Sequence, residues 1–568
     1  MDLVRRCLPV CFLVVLIANG LGQMPTAALP LYIDTHWDPP AGGKTWLAHN
    51  ADEFQRALNS SRPGDTIALD AGTSFPGSFT VPAKANPDHK WIYIESSELA
   101  LLPTPGSRVN PEADAGKMPK IVSTDVSPAI TISPGASGYR FVGLEIYSAS
   151  KQGCDPRRTP PVNCFTYFLI DMPAERGKPL PDSITVDRCY LHGSDTQDVR
   201  AGVVANGTNV AVIDSHISDI HQSTSDSQGI RAYRTPGPIK VVNNFLSATT
   251  ENLMFGGAGG ADNPYVPSDI EVRGNYFFKP EKWAVPGKTL PPSAQWSVKN
   301  SLEFKNAQRV LVSGNVFENN WAGAQKGFAI VLTVRTSDSG NIAVVNDITI
   351  ENNVLKNVAS GFNTLEHDDQ CKLLSAPFCN NHGEAKRWRI ANNLVMLRNE
   401  GAPGVERPTA FQALPELSDV VFQHNTVIGA GGTGCWASFY FSVPEGSQWP
   451  LAKSNSHNLW IVDNVLCRPP TGDFGGQGTS GLTSYMGDPV PLDRRLTGNV
   501  ILAHAGEPPA EFPTGNLVTR GPLRFVDPKQ SNYQLAAPRW AQTTDGKPPG
   551  VDAATLEAEI GGVRTGRK

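Results

Sequence analysis

The sequence predicts an all-β chain wound into a right-handed parallel β-helix of about ten coils. One short pattern, apolar-x-apolar-x-x-Asn-x-apolar, is rewritten along most of its length, as in "RVLVSGNVFENN" at 309–320. Its apolar positions alternate, which is the period of a strand and not of a helix. The Asn slot recurs at 244, 275, 315, 353, 393, 425, 464 and 499, with Cys189 and Ser215 in the same place earlier. Spacing between copies varies while the local pattern does not, so each copy reads as one coil of constant core with loops of variable length. An Asn in that slot can accept from one neighbouring coil and donate to the other, forming a ladder inside the turn between two strands. The turn also needs a residue that tolerates a left-handed backbone, a role assigned here to the same Asn. A β-propeller would need four antiparallel strands per blade and a steadier period.

The flanking segments follow in order. Residues 1–22 pair Arg5 and Arg6 with a short apolar run and small residues at Ala18 and Gly20, the pattern of a secretory signal peptide. The run is too short for a stable membrane anchor, and no second long apolar run follows. The mature chain is therefore expected outside the cytoplasm, periplasmic or extracellular, soluble and monomeric, with no membrane attachment after cleavage. Residues 23–60 form an entry segment, with a short amphipathic helix at 53–60 expected to cap the first coil, because an uncovered solenoid end exposes sheet edges and core. Residues 61–505 carry the coils. Residues 506–568 are Pro-rich and irregular and read as a C-terminal cap and tail, with a short helix within 551–562.

Composition excludes several classes. Hydrophobic residues make up 40% of the 568, so wholesale disorder is excluded. The 53 Gly and 47 Pro indicate many turns and few long helices. A net charge of −5 with no basic run leaves no nucleic-acid footprint. Cys154 with Cys164, and Cys371 with Cys379, are close pairs in loop-like sequence that could staple loops in an oxidising compartment.

The entry segment and the Asn-slot coils, over roughly residues 45–505, resemble the pectin lyase-like superfamily of secreted right-handed β-helix proteins. That resemblance implies the fold strongly and the activity weakly. The superfamily includes polysaccharide lyases, glycoside hydrolases, esterases, epimerases and non-catalytic adhesins.

Each coil offers a second strand: 201–206, 229–234, 252–257, 301–306, 329–335 and 362–367. Charges interrupt these mostly apolar strands at Arg231, Arg234, Glu251, Glu303, Lys305, Arg335, Glu366 and His367. Two chemistries on an extended polysaccharide fit. Elimination from a uronate polymer needs a base and a group that neutralises the carboxylate, for which Lys305, Arg231 and His367 are candidates. Glu303, Glu366 and Asp368 would then supply oxygens to Ca²⁺, the cation such a site would use. Hydrolysis needs paired carboxylates instead, Glu251 with Glu303 or Glu303 with Glu366. Arg234 and Arg335 are candidates for contacting substrate, and Trp283 and Trp296, in the longest central insertion, for stacking on sugar rings. The alternatives are a surface ion pair between Glu303 and Lys305, tryptophans that only anchor their loop, and a glycan-binding scaffold without catalysis. No local signature of the superfamily's lyases surrounds Lys305.

Overall fold

The computed structural model describes residues 24–37, 42–158, 161–258, 262–283, 296–335, 343–366 and 384–399. Beyond position 400 it describes 401–402, 404–414, 417–429, 437–441, 456–467, 486, 493–503, 514–520, 523–536 and 543–563. The signal-like segment 1–22 lies outside these residues. Three long parallel sheets of 14, 11 and 14 strands carry almost every strand. One coil shows how they arise. Ile239–Val242 lies in the first sheet, the chain turns at Asn243 and Asn244, and Phe245–Ala248 leaves the turn in the second. Glu251–Phe255 then lies in the 11-stranded third, called here the groove sheet, and Ser268–Arg273 returns to pair with Ile239–Val242. The expected parallel β-helix is therefore present, with each alternating apolar strand turned inward.

Register keeps like on like. Val241, Val272, Val312, Ile350, Ile390, Phe422 and Ile461 are aligned partners in successive coils, and all are buried. Stacking identical pleats in this way makes one continuous core that no single coil could bury alone.

The Asn ladder forms as expected. Asn244 donates through its backbone N and Nδ2 to Asn275 Oδ1 at 2.8 and 3.0 Å. Asn275 repeats this to Asn315, and Asn315 to Asn353. The chain of amides continues through Asn393, Asn425, Asn464 and Asn499 to Asn516. Ser215 and Cys189 extend it upstream, with Cys189 N donating to Ser215 Oγ and Ser215 N to Asn244 Oδ1. One expectation is corrected. The left-handed backbone belongs to the residue before the ladder Asn: Asp214, Asn243, Gly274, Gly314, Asn352, Asn392, His424, Asp463 and Gly498 all have positive φ. The bend has to precede the strand that the Asn begins, so that its Nδ2 can reach back to the previous coil, as Asn275 does to Val241 O at 2.8 Å.

The described segments nearest each end, 24–60 and 543–563, lie along the solenoid. The helix Ala51–Ser60 closes the first coil with Phe54, Ala57 and Leu58 buried, its N-terminus capped by the Asn50 side chain on Glu53 N. A strand at Thr45–Ala48 precedes it and pairs with Thr66–Leu69. Upstream, residues 24–37 run along the outside of the first sheet. Ala28 N donates to Asp347, Leu31 N to Asp269, and Arg140 holds the carbonyls of Thr35 and His36. The C-terminal segment doubles back over the ladder turns. Gly550 N reaches Asp463 O, Val551 N reaches Thr426 Oγ1, and the helix Ala553–Ile560 follows. Arg108, between the strands Ile92–Ser96 and Lys120–Ser123 near the other end, holds Val563 O. No described helix is long and apolar enough to cross a membrane.

Candidate functional site

Outward positions of the groove sheet stack as strictly as the core does. Val204, Arg231, Met254, Glu303 and Val331 are aligned partners in five successive coils. Arg231 and Glu303 thus stand two coils, roughly 10 Å, apart on one column. Lys305 follows Glu303 on the same face, with Nζ 3.8 Å from Glu303 Oε1. Arg335, on the next coil, donates its backbone N to Lys305 O at 3.0 Å. Glu251 opens its strand in register with Gln228, whose Nε2 donates to Glu251 Oε2 at 2.9 Å. The structure therefore gathers Arg231, Glu251, Glu303 and Lys305, with Arg335 beside them.

The Glu303–Lys305 pair is not the solvated surface pair that its spacing allowed. Glu303 is 2% exposed and Glu251 is 1% exposed, because neighbouring coils cover the strand on both sides. Burial pushes the Glu303 carboxyl up to about 7; Lys305 opposes this, while Glu251 adds to it. Asn300 Nδ2 donates to Glu303 Oε2 at 3.1 Å. Burial also draws the Arg231 guanidinium down, against Tyr233 and with Arg200. Arg231 Nη1 donates to Gln228 Oε1 at 3.2 Å, while the Nε atoms of Arg231 and of Arg200 are buried with no hydrogen-bond partner. Upstream on the same column, Asp171 is raised to about 6 by burial, with Arg231 opposing.

Sequence reasoning missed several members. Lys299 Nζ lies 2.6 Å from Asp226 Oδ2, and its attraction to Glu251, Asp226 and Glu303 outweighs the desolvation that would lower it. Lys279 is fully buried and donates to the carbonyls of Ala248, Thr249 and Thr250 at 2.7, 3.0 and 2.9 Å. Burial draws its amine down to about 7, yet three acceptors require the three hydrogens of the ammonium. The bend it holds leads directly into Glu251. Lys299 and Asn300 immediately precede the "SLEFKN" stretch, so starting that strand two residues earlier would have exposed them. Gly257 has φ +70, and a Cβ there would lie 2.8 Å from Lys305 Cδ; its absence leaves the lysine stem its place.

Other candidates go elsewhere. Arg234 is held at the sheet's edge, with Nη1 3.4 Å from Asp262 Oδ1. Trp283 is corrected as a sugar platform: it is 4% exposed, in a cluster with Val298, Trp321 and the half-buried Trp296. Trp296 lies over the His221 ring at 3.9 Å, and His221 is itself bonded to Asp198 at 2.9 Å, so both tryptophans pack against the coils. Glu366 is buried and accepts from Ser418 Oγ at 3.1 Å. His367, Asp368, Cys371 and Cys379 lie outside the described residues. Cys154 and Cys164 are joined in a disulfide, and Cys189 is a buried free thiol in the ladder slot.

A hard cation takes six to eight oxygens. Glu251 Oε2 accepts from Gln228 Nε2, Glu303 Oε2 accepts from Asn300 Nδ2, and the bend carbonyls of Ala248, Thr249 and Thr250 accept from Lys279 Nζ. Among the described residues this donor set does not fit Ca²⁺, and Asp368 lies outside them. A separate group of three, His424, Asp463 and Asp545, ties the returning C-terminal segment to the ladder, with His424 Nε2 3.0 Å from Asp545 Oδ2.

No family model matches the chain, and no curated protein matches it. Among solved structures it is similar to the PL6-family alginate lyase AlyGC, at 13% identity and a TM-score of 0.53, over 91% of this chain and 58% of that one. Likeness at lower TM-scores extends to a PL6-family polysaccharide lyase from Pseudopedobacter saltans (0.39; 13% identity; 89% and 98% covered). It extends also to a family 28 exopolygalacturonase from Yersinia enterocolitica (0.39; 12% identity; 72% and 77% covered). This chain thus spans little more than half the length of the alginate lyase. What the first of these matches shows is the fold alone, a parallel β-helix, in agreement with the three parallel sheets.

Proposed function

We propose that the protein is an exported, polysaccharide-acting β-helix enzyme that cleaves a uronate polymer by β-elimination. One observation carries this reading. Lys305 and Arg231 share one groove face with buried, partly protonated carboxylate chemistry at Glu303, and the Arg231 Nε has no protein partner. Lys305 Nζ is the base that takes the C5 proton. The electron pair left behind forms the C4=C5 double bond as the C4–O4 bond breaks, and the leaving O4 takes up a proton. Arg231, with Arg335 on the far side of Lys305, neutralises the sugar carboxylate and so stabilises the carbanion-like charge at C5. The fold's likeness to an alginate lyase agrees with such a substrate.

Hydrolysis is the second reading, favoured by Glu303, whose carboxyl near 7 suits a general acid opposite Glu251. A glycan-binding scaffold would present aromatics along several coils. Among the described residues the exposed large apolar side chains include only two aromatic ones, Tyr32 and Tyr167.

The test is an assay of purified protein on uronate-containing and neutral polysaccharides, reading the ultraviolet absorbance of unsaturated ends and the release of reducing ends. Absorbance rising with reducing ends supports elimination. Reducing ends alone move the activity to the glutamates. Silence in both, with retention on one polymer in affinity electrophoresis, leaves the scaffold.

A further inference from the structure

We infer that the groove carries its own cation: the Lys299 ammonium, among Asp226, Glu251 and Glu303, holds the place that a divalent metal ion would otherwise fill. The inference rests on reading this groove as the functional site, and it concerns how that site handles charge.

Glu251 and Glu303 are almost wholly buried, and Lys299, bonded to the half-exposed Asp226, is drawn electrostatically to all three carboxylates. Two carboxylates in one low-dielectric site cannot both ionise without a counter-charge. A polysaccharide-cleaving groove can obtain that charge from a divalent ion, which demands a shell of oxygen ligands. It can also obtain it from ammonium groups, which demand acceptors only. The local bonding is of the second kind throughout. Asp226 Oδ2 takes Lys299 Nζ at 2.6 Å, Glu251 takes Gln228 Nε2, and Glu303 takes Asn300 Nδ2 and faces Lys305. Carbonyl oxygens would be the other natural ligands. Those of Ala248, Thr249 and Thr250 are all consumed by Lys279 Nζ, and Thr249 O also accepts the backbone N of Lys299. The Lys299 stem is thereby anchored to the same bend that presents Glu251. Lys299, Lys279 and Arg231 thus supply the counter-charge for Asp226, Glu251 and Glu303, and no divalent ion is needed to balance them.

The experiment uses the full chain dialysed against EDTA, titrated with Ca²⁺ by calorimetry and followed by thermal unfolding. The expected result for the wild type is no saturable heat and no shift in Tm between EDTA and millimolar Ca²⁺. Lys299→Gln removes the charge at nearly constant length, and in this variant Ca²⁺ should bind and raise Tm. Lys299→Arg, which restores the charge, should again ignore Ca²⁺. Saturable Ca²⁺ binding by the wild type that disappears in Glu303→Gln would overturn the inference, as would a folded Lys299→Gln that stays indifferent to the ion. The wild-type titration decides by itself if Lys299→Gln does not fold. Neither readout needs activity. A metal-indifferent protein that cleaves nothing leaves this inference standing and removes the lyase reading; a lyase that binds Ca²⁺ through Glu303 does the reverse.

Discussion

Two buried polar arrays run through this solenoid, the Asn ladder in the turns and the charged cluster on the groove sheet, and they solve burial differently. In the ladder each amide oxygen takes donors from one coil and each Nδ2 gives to another, so neutral groups are closed on themselves over many coils. In the cluster the groups are charged and balanced only approximately, with the Nε of Arg200 and of Arg231 left without partners. A satisfied neutral array specifies structure. An array of buried charges with orphaned donors gains little stability from its ion pairs, and orphaned groups of this kind mark where a ligand completes the set. On the proposed reading, the difference separates what holds this molecule together from what it uses.

The largest effect expected on either array is at Lys305. Lys305→Ala should lower cleavage of a uronate polymer by about 10²–10⁴-fold with Tm nearly unchanged; equal loss of activity and of stability would place Lys305 with the ladder instead. The mirror experiment is Asn315→Ala. It strands the backbone N and Nδ2 of Asn275 and should destabilise by about 3 kcal/mol in chemical unfolding, while activity per folded molecule stays within error. Gly257→Ala comes next: an added methyl at positive φ would press on Lys305, and a roughly tenfold or greater fall in kcat is expected with little change in KM.

Smaller effects follow from titration. Glu303 has its folded pKa raised to about 7 from 4.5, so its contribution to stability is fully present below 4.5 and lost as pH rises through 7. Wild type should therefore lose stability relative to Glu303→Gln across that window, measured as Tm against pH; parallel curves would mean the carboxyl is not held neutral. The smallest change is expected at Asp545. Desolvation there is outweighed by the Lys547 N–H and by His424, so its pKa is lowered. Its contribution is present above the ordinary carboxylate range and lost as pH falls through the folded value. Asp545→Asn should cost under about 1 kcal/mol near neutrality and nothing in strong acid.

The coil pattern was legible because a strand's period and the ladder Asn are local, and repetition multiplied a weak signal into a fold. Glu303 and Lys305 were legible as charges in otherwise apolar strands, though not as a buried pair. Trp283 misled because an aromatic in a long loop has the same sequence signature whether it faces a sugar or His221. Lys279 and Lys299 were invisible for the converse reason. Each is one polar residue after or before a strand, and what distinguishes it is a bend of another coil that its ammonium meets.

By itself, then, the sequence determined the parallel β-helix, the Asn slot and the rough location of a charged face, since all three rest on patterns within a few neighbouring residues. Only the tertiary structure decided which charges meet. Side chains dozens of residues apart become neighbours at a spacing of about one strand, and whether a coil lies above or beside a lysine is set by loop lengths that carry no periodicity. It also decided that residues 543–563 return over the ladder turns and that residues 24–37 run along the first sheet, because both are held by long-range bonds to residues such as Asp463, Asp347 and Asp269. Contacts of that kind leave no pattern in the chain that makes them.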